Sequence, residues 1–416
     1  MWTQWKDVGS RMLRNRTLLA ISLAVCAAYT GIGMVVPVRV LYAQSRGASL
    51  AIIGAMASAY LISNFVFQYP CGWLADRWGR KRVMIIGLFV QALLSLVYLV
   101  ITDPIAFVIL RFVEGIAAAA LLPSARALIV DVVPAEKRGE AYGIFGAFFN
   151  AGFLLGPGIG GLLATTGYAS AFIGAALFRI VAIAIALFMI PTVQQDSSTR
   201  GTAIPAIPVR VLFSLPLVAA YILAFGDYLY LGFDLTLTPL WMHDHLGASV
   251  ALIGVAYMAW SVPNIICSPL GGRLADRKRR SLLIAIFGLA QVPIYLLYGF
   301  ASMMIVVIVL FAVHGTFYAF IQPAVDAHVA SASGNSAMRA RVQSMYSTVG
   351  LVGAFFGANV LSPLYGINFR LPFFTMGSLF GLCVIAGSIM VRLSESRKTT
   401  DTTPKNDYIA VVEEIN

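Results

Sequence analysis

A chain of 416 residues that is 59% hydrophobic and only 11% charged has too few charged side chains to clothe a soluble globular surface. Its mean hydropathy of +0.84 places it in lipid. The formal charge of +11 raises nucleic acid as a partner, so the positions of the basic residues must decide.

Apolar runs of about 20 residues, enough to cross roughly 30 Å of hydrocarbon as a helix, follow one another along the chain. Twelve are expected, near 17–42, 50–74, 83–101, 105–130, 139–164, 169–190, 214–242, 249–274, 281–300, 302–329, 341–366 and 370–392. The first follows a basic N-terminus but is too long for a signal-peptide core, and reads as a retained helix. Cys26, Cys71, Cys267 and Cys383 lie inside or at the ends of apolar runs without metal-ligand spacing, so no disulfide or metal framework is expected. With an even number of spans both termini share a side. Loops on that side hold 23 of the 29 Lys and Arg residues, the opposite loops only Arg46 and Arg370. This is the positive-inside bias, so the charge sets topology rather than binding nucleic acid, and both termini are expected in the cytoplasm.

The chain repeats itself. GASLAIIGAMASAY at 47–60 aligns on GASVALIGVAYMAW at 247–260 with seven of fourteen residues identical. The same shift pairs Gly72, Leu74, Ala75, Asp76 and Arg77 with Gly272, Leu274, Ala275, Asp276 and Arg277, and Gln91 with Gln291, Gly115 with Gly315 and Pro123 with Pro323. Copies six spans apart share an orientation, so two parallel six-helix halves are expected around an axis normal to the membrane. The divisions are residues 1–191, a linker at 192–213, residues 214–393, and a polar, solvated tail at 394–416.

GWLADRWGRKR at 72–82 resembles the loop between helices 2 and 3 of the major facilitator superfamily, with Gly72, Asp76, Arg77, Gly79, Arg80 and Lys81 in matching positions. The second copy departs from the pattern at Arg279. RFVEG resembles the Arg-x-x-Gln-Gly motif of helix 4 at Arg111 and Gly115, with Glu114 in place of the amide. In helix 5, Gly143, Gly152, Gly156, Pro157, Gly160 and Gly161 fit a spacing similar to the signature of the twelve-helix drug:proton antiporter branch. The resemblance implies an all-α integral membrane protein whose two repeats surround a central cavity. It implies too that Asp76 and Arg80 cluster with Asp131 and lock the cytoplasmic side. Independently, glycines spaced about four apart let helices approach closely and proline bends the axis, so helix 5 should be a kinked, tightly packed seam.

Ionisable residues inside the membrane are candidates for function. They are Arg39, Arg111, Glu114, Arg126, Arg179, Asp227, Asp234, His314, Asp326 and His328. All but Arg179 lie in helices 1, 4, 7 and 10, which line the cavity in the resembled fold; Arg179 lies on a helix expected to face lipid. Glu114, Asp227, Asp234 and His314 are the proton-coupling candidates. Glu114 is foremost: it lies about 13 Å below the outer end of its helix, and burial and Arg111 pull its proton affinity in opposite directions. Arg39 is expected either in the cavity or bridged to Asp234. Arg126 and Asp326, equivalent under the repeat, are expected to pair when the cytoplasmic side closes. Arg39, Asn64, Gln68, Arg111, Asn150, Tyr228, Tyr257, Trp260, Asn264, Tyr318 and Gln322 should form a mixed cavity for an amphiphilic solute. The His243-Asp244-His245 run reads as a solvated turn. No nucleophile and base set and no phosphate-binding loop is evident, against an enzyme or a direct ATP drive.

The function expected is proton-coupled export of organic, lipophilic or amphiphilic compounds by alternating access. Uptake of a small polar or anionic solute is the alternative. The partners expected are a small-molecule substrate, protons and membrane lipid. No cofactor or metal is expected, and the chain is read as a monomer in a bacterial inner membrane.

Overall fold

The computed structural model describes residues 15–134, 137–191, 212–277, 279–332 and 336–400. Among the described residues there are twelve long helices and no strand. In the first half they are α1 (Arg16–Ser45), α2 (Leu50–Trp78), α3 (Arg80–Val97), α4 (Pro104–Val132), α5 (Arg138–Leu163) and α6 (Tyr168–Met189). The second half has α7 (Leu215–Asp244), α8 (Val250–Arg277), α9 (Arg280–Tyr298), α10 (Met304–Ala332), α11 (Ser336–Phe356) and α12 (Leu371–Thr400). Side-chain oxygens accept from the free amides of the first turns: Asn15 caps α1, Ser49 caps α2, and Asp103 caps α4 ahead of Pro104.

Eleven of the twelve are long and apolar enough to cross a membrane. The exception is α3, whose 18 residues open on Arg80, Lys81 and Arg82. Two expected boundaries move. Helix α2 runs on to Trp78, so Asp76 and Arg77 are helical rather than in a loop. Helix α12 runs past 393 to Thr400, because Glu395 accepts from the Arg280 and Ser281 backbone amides (3.0 and 3.4 Å) and the Ser281 hydroxyl (2.6 Å), capping α9. The expected solvated tail therefore starts as folded helix. Residues 192–211, most of the expected linker, and 401–416 lie outside the described residues.

The repeat is structural. Helix α1 packs on α5 and α6, α2 on α4, and α3 on α4 and α6; adding six to each label gives the pairs of the second half. Core packing shows how the halves meet. One apolar cluster mixes residues of both, from Met34, Tyr98 and Phe107 to Leu229, Trp241 and Phe373. Two others belong to a single half each, one around Leu18, Leu121 and Ile190 and one around Leu217, Ile284 and Val391. The shared cluster lies toward the loops at 46–49 and 245–249, the separate ones toward the termini. The halves are joined at the first end and parted at the second.

Candidate functional site

The joined end begins with α5. Its Gly152, Gly156 and Gly160 form one stripe against α1: Gly156 meets Gly33 and Thr30, Gly152 meets Cys26 and Gly160 meets Met34. Gly161 turns to the other half, where an added Cβ would lie 2.7 Å from the Val250 carbonyl of α8. Gly143 has open space around it, so the close approach involves the other glycines of the motif. The helix is continuous through Pro157. Hydrogen bonds from Gln44 to Asp244 (2.6 Å) and from Asn359 to Ser58 (2.5 Å) join the halves at the same end. Asp244, expected in a solvated turn, thus also bridges the halves and takes His243 at 2.9 Å.

Below that closure lies a buried ionic cluster in the first half. Glu114 Oε1 accepts from Arg39 Nη2 at 3.0 Å, and Oε2 accepts from Arg111 Nη1 at 2.9 Å. Arg179 Nη2 approaches Oε1 at 3.9 Å. The Arg39–Asp234 bridge considered from the sequence is not formed; Glu114 takes Arg39 instead. Nor is Arg179 a lipid-facing residue. It is 0% exposed, and its Nη1 and Nε donate to Ser95 (2.5 Å) and Gln91 (3.3 Å) of α3. Glu114 was expected to have one arginine beside it and has three. Tyr60 and Tyr98 complete the shell with their rings: the Arg111 guanidinium lies 4.0 Å from the Tyr60 centroid and that of Arg39 5.8 Å from Tyr98. Gln91, Ser95, Tyr60 and Tyr98 were missed as site residues. The recurring Gln91–Gln291 pair, with Ser95 one turn on, was the signal available.

The repeat gives the same layer a different chemistry in the second half. His314, equivalent to Glu114, is 0% exposed, and its Nε2 lies 3.1 Å from the Tyr295 hydroxyl, which donates to Gln291 (3.1 Å). Tyr230, Trp260 and Tyr295 pack around its ring. Asp234 accepts from the Tyr230 (3.4 Å) and Tyr257 (3.3 Å) hydroxyls. Asp227 accepts from Tyr318 at 3.4 Å; Tyr318 also reaches Gln322 at 3.2 Å, and Gln322 donates to Asp326 at 3.0 Å. A cavity of about 20 Å³, lined by Asp227, Tyr318, Gln322 and Tyr346 among others, lies along this chain. Among the described residues no cation pairs with Asp227, Asp234 or Asp326.

Toward the parted end, Arg126 and Asp326 are exposed. A charged side chain exposed within a span must line a water-filled opening. Beside Arg126 a cavity of about 470 Å³ is bounded by Tyr142, Phe145, Gly146 and Phe149. No ion pair joins Arg126 to Asp326 in this conformation. Gln68 and Asn150 are exposed as well; Asn64 donates to the Gly115 carbonyl (3.3 Å) and accepts from Gln68 (3.2 Å). Asn264 accepts from Ser268 (3.3 Å), Trp260 packs on Tyr318 with centroids 5.3 Å apart, and Tyr228 lies against Gly350 of α11. The polar and aromatic set thus divides between the opening and the second half.

At the loop beyond, Arg80 pairs with Asp131, with Asp76 (3.6 Å) and with the Ala127 carbonyl (2.7 Å). Gly79 holds φ 98°, a conformation that favours glycine. Gly72 has open space, and Arg77 lies over Trp73 at 5.4 Å. In the second copy Arg280 donates to Ser331 (2.7 Å), the position equivalent to Asp131, and Arg279 takes φ −63°. The contact is kept there with a hydroxyl in place of the carboxylate and without the glycine turn.

A family model described as Major Facilitator Superfamily matches residues 21–237 and 228–410. Multidrug resistance protein 2 of Bacillus subtilis is 24% identical over 393 residues, covering 91% of this chain and 95% of that protein. Quinolone resistance protein NorA of Staphylococcus aureus is 26% identical over 216 residues, 51% of this chain and 56% of that protein. Among solved structures, a D-xylose-proton symporter superposes with a TM-score of 0.73 at 16% identity, covering 90% of this chain and 96% of the other. A bacterial homologue of the lysosomal transporter Spinster, in an inward-facing and occupied conformation, gives 0.70 at 15% identity over 92% and 95%.

Proposed function

The chain belongs to the major facilitator superfamily, a class of membrane transporters and not of enzymes, and from that premise we propose that it exports organic amphiphiles in exchange for protons. The relatives named for multidrug and quinolone resistance, and the glycine seam of α5, support the efflux direction. The excess of basic residues in the loops on the terminal side supports cytoplasmic termini. The parted end then faces the cytoplasm, the side from which an exporter loads.

The observation that carries proton coupling is the run from Asp326, exposed at the opening, through Gln322 and Tyr318 to Asp227. A carboxyl group whose partners are hydroxyls and amides can change protonation state without breaking an ion pair. Glu114 cannot, because three guanidiniums surround its carboxylate. Asp227 is therefore the proton carrier in this reading, with Asp326 at its mouth, Asp234 a second buried carboxyl on hydroxyl partners, and Glu114 the anchor of the arginines. One proton moving down 100 mV supplies about 2.3 kcal/mol, which at about 1.4 kcal/mol per decade sustains a gradient of roughly fiftyfold.

Proteoliposomes with an imposed pH gradient test this. The wild type should accumulate an amphiphilic substrate against its gradient. The Asp227→Asn variant should lose that accumulation and retain downhill exchange. Wild-type pumping by Asp227→Asn would overturn the assignment.

A further inference from the structure

The buried cluster of the first half is out of balance. Three guanidiniums, those of Arg39, Arg111 and Arg179, converge on the single carboxylate of Glu114, all four residues at most 7% exposed. Among the described residues no second carboxylate pairs with them. Asp234, the acidic residue next in sequence to Leu235 of the cavity described below, keeps its carboxylate on Tyr230 and Tyr257. Glu114 already uses Oε1 for Arg39 and Oε2 for Arg111. Arg39 Nε and Arg179 Nη2 have no hydrogen-bond partner. Two units of positive charge thus remain in a layer where an uncompensated charge is costly.

The excess faces a space. A cavity of about 30 Å³ is lined by Arg39 and Arg111 together with Val36, Ile53, Met56 and Leu235. Leu235 belongs to α7, so this cavity lies between the two halves, whose relative movement gives alternating access. Its volume suits a water or two and not a whole organic ligand, so entry requires the halves to part at Leu235. The second half offers no equivalent: under the repeat Arg39, Arg111 and Arg179 become Pro239, Phe311 and Leu379. On the cytoplasmic side, Tyr60, Asn64 and Gln68 lie one turn apart on α2 and lead from Arg111 toward the parted end.

We propose that Arg39 and Arg111 form the docking point for the anionic group of the substrate, a carboxylate or sulfonate carried on an apolar body. The inference rests on the transporter reading and narrows it to organic anions. Planar oxyanions match the fork of guanidinium donors and accept charge-assisted bonds from it. In the second half the half-buried Tyr230 and Trp260, packed on His314, supply aromatic surface for the apolar body.

Binding to the purified full-length protein in lipid nanodiscs tests the idea with three probes of one shape: naphthalene-2-sulfonate, 2-naphthalenemethanol and naphthalen-2-ylmethylammonium. The sulfonate should bind at least tenfold more tightly than either other probe. Arg39→Gln and Arg111→Gln should each weaken the sulfonate tenfold or more and leave the alcohol unchanged. Arg39→Lys, which keeps the charge and loses the fork, should fall between, and serves if the Gln variants do not fold. Equal or tighter binding of the ammonium probe overturns the proposal, as does sulfonate affinity that is indifferent to Arg39 and Arg111. The two readings fail separately. Export of only cationic or neutral compounds under a pH gradient sinks the anion site and leaves antiport standing. Arginine-dependent sulfonate binding without any pH-driven flux keeps the site and sinks antiport.

Discussion

Gly161 and Gly156 sit five residues apart on α5 and make equally close contacts, yet their substitution should have different consequences. A Cβ on Gly161 would lie 2.7 Å from the Val250 carbonyl oxygen, 3.2 Å from the Ala251 Cα and 3.3 Å from the Gly254 Cα. All three atoms are α8 backbone in the opposite half, so no side chain can swing aside. The halves must part at this end. A Cβ on Gly156 would meet the Gly33 Cα at 2.6 Å and the Thr30 carbonyl at 2.7 Å, both within its own half. Overpacking of this kind costs about 1–3 kcal/mol. For Gly161→Ala that cost falls only on the conformation closed at this end, so the closed-to-open ratio should drop about 5- to 150-fold. For Gly156→Ala it falls on every conformation and should appear as lost thermal stability.

Spin labels at the exposed positions 46 and 245, in a background with the four cysteines replaced, report the separation of the outer ends. Gly161→Ala should move the distance distribution toward longer values in nanodiscs, while Gly156→Ala leaves the distribution in place and lowers the midpoint of thermal unfolding. Gly254→Ala, whose Cβ would meet the Pro157 carbonyl across the same contact, should act like Gly161→Ala. A folded Gly161→Ala protein with the wild-type distance distribution refutes the reasoning, and so does opening of the outer end by Gly156→Ala.

Removing Glu114 should cost more than removing Arg179, because Glu114→Leu strands three guanidiniums whereas Arg179→Met lowers the excess positive charge. The expected losses are about 3–5 kcal/mol for the first, and for the second little beyond the lost bonds to Ser95 and Gln91, compared by thermal unfolding in detergent. Cysteines at 126 and 326 should crosslink readily when the end bearing the termini is closed and poorly in the conformation described above; a yield independent of state would sink the pairing. Asp131→Asn should loosen the Arg80 cluster and lower the midpoint of thermal unfolding without raising the labelling of a cysteine placed at Asn150, because the cluster lies within the first half and is formed while the halves stand parted. Gly79→Ala should reduce stability by forcing a side chain into the φ 98° turn, whereas Arg279→Ala, at φ −63°, should not; thermal unfolding compares the two.

The fold was legible because its determinants are one-dimensional: span length fixes helices, and a shift of two hundred residues fixes the symmetry. The clustering of Asp76, Arg80 and Asp131 was legible from a motif. Arg179 was not, and the reason is instructive. Helix position assigned α6 to the lipid, but a helix at the edge of a half has two faces, and the one carrying Arg179 packs on α3 against Gln91 and Ser95. Deciding which face is which requires the partner helix. The same limit applied to Arg39, which pairs with the carboxylate seventy-five residues on rather than with Asp234. Helix α1 touches both α4 and α7, so helix contact alone does not choose between Glu114 and Asp234; the Asp234 carboxylate is taken by Tyr230 and Tyr257 instead. Seen together, the four residues explain the substitution at the family's helix-4 amide position. In a site with Arg39 and Arg179 absent, a neutral side chain beside Arg111 would leave one charge; with all three arginines present, a carboxylate at position 114 is the least that lets the cluster be buried. Glu114 is thus better understood as the counter-ion the arginines require than as an isolated acid placed for proton exchange, and the proton coupling proposed above rests on the second half, where among the described residues no cation pairs with Asp227, Asp234 or Asp326.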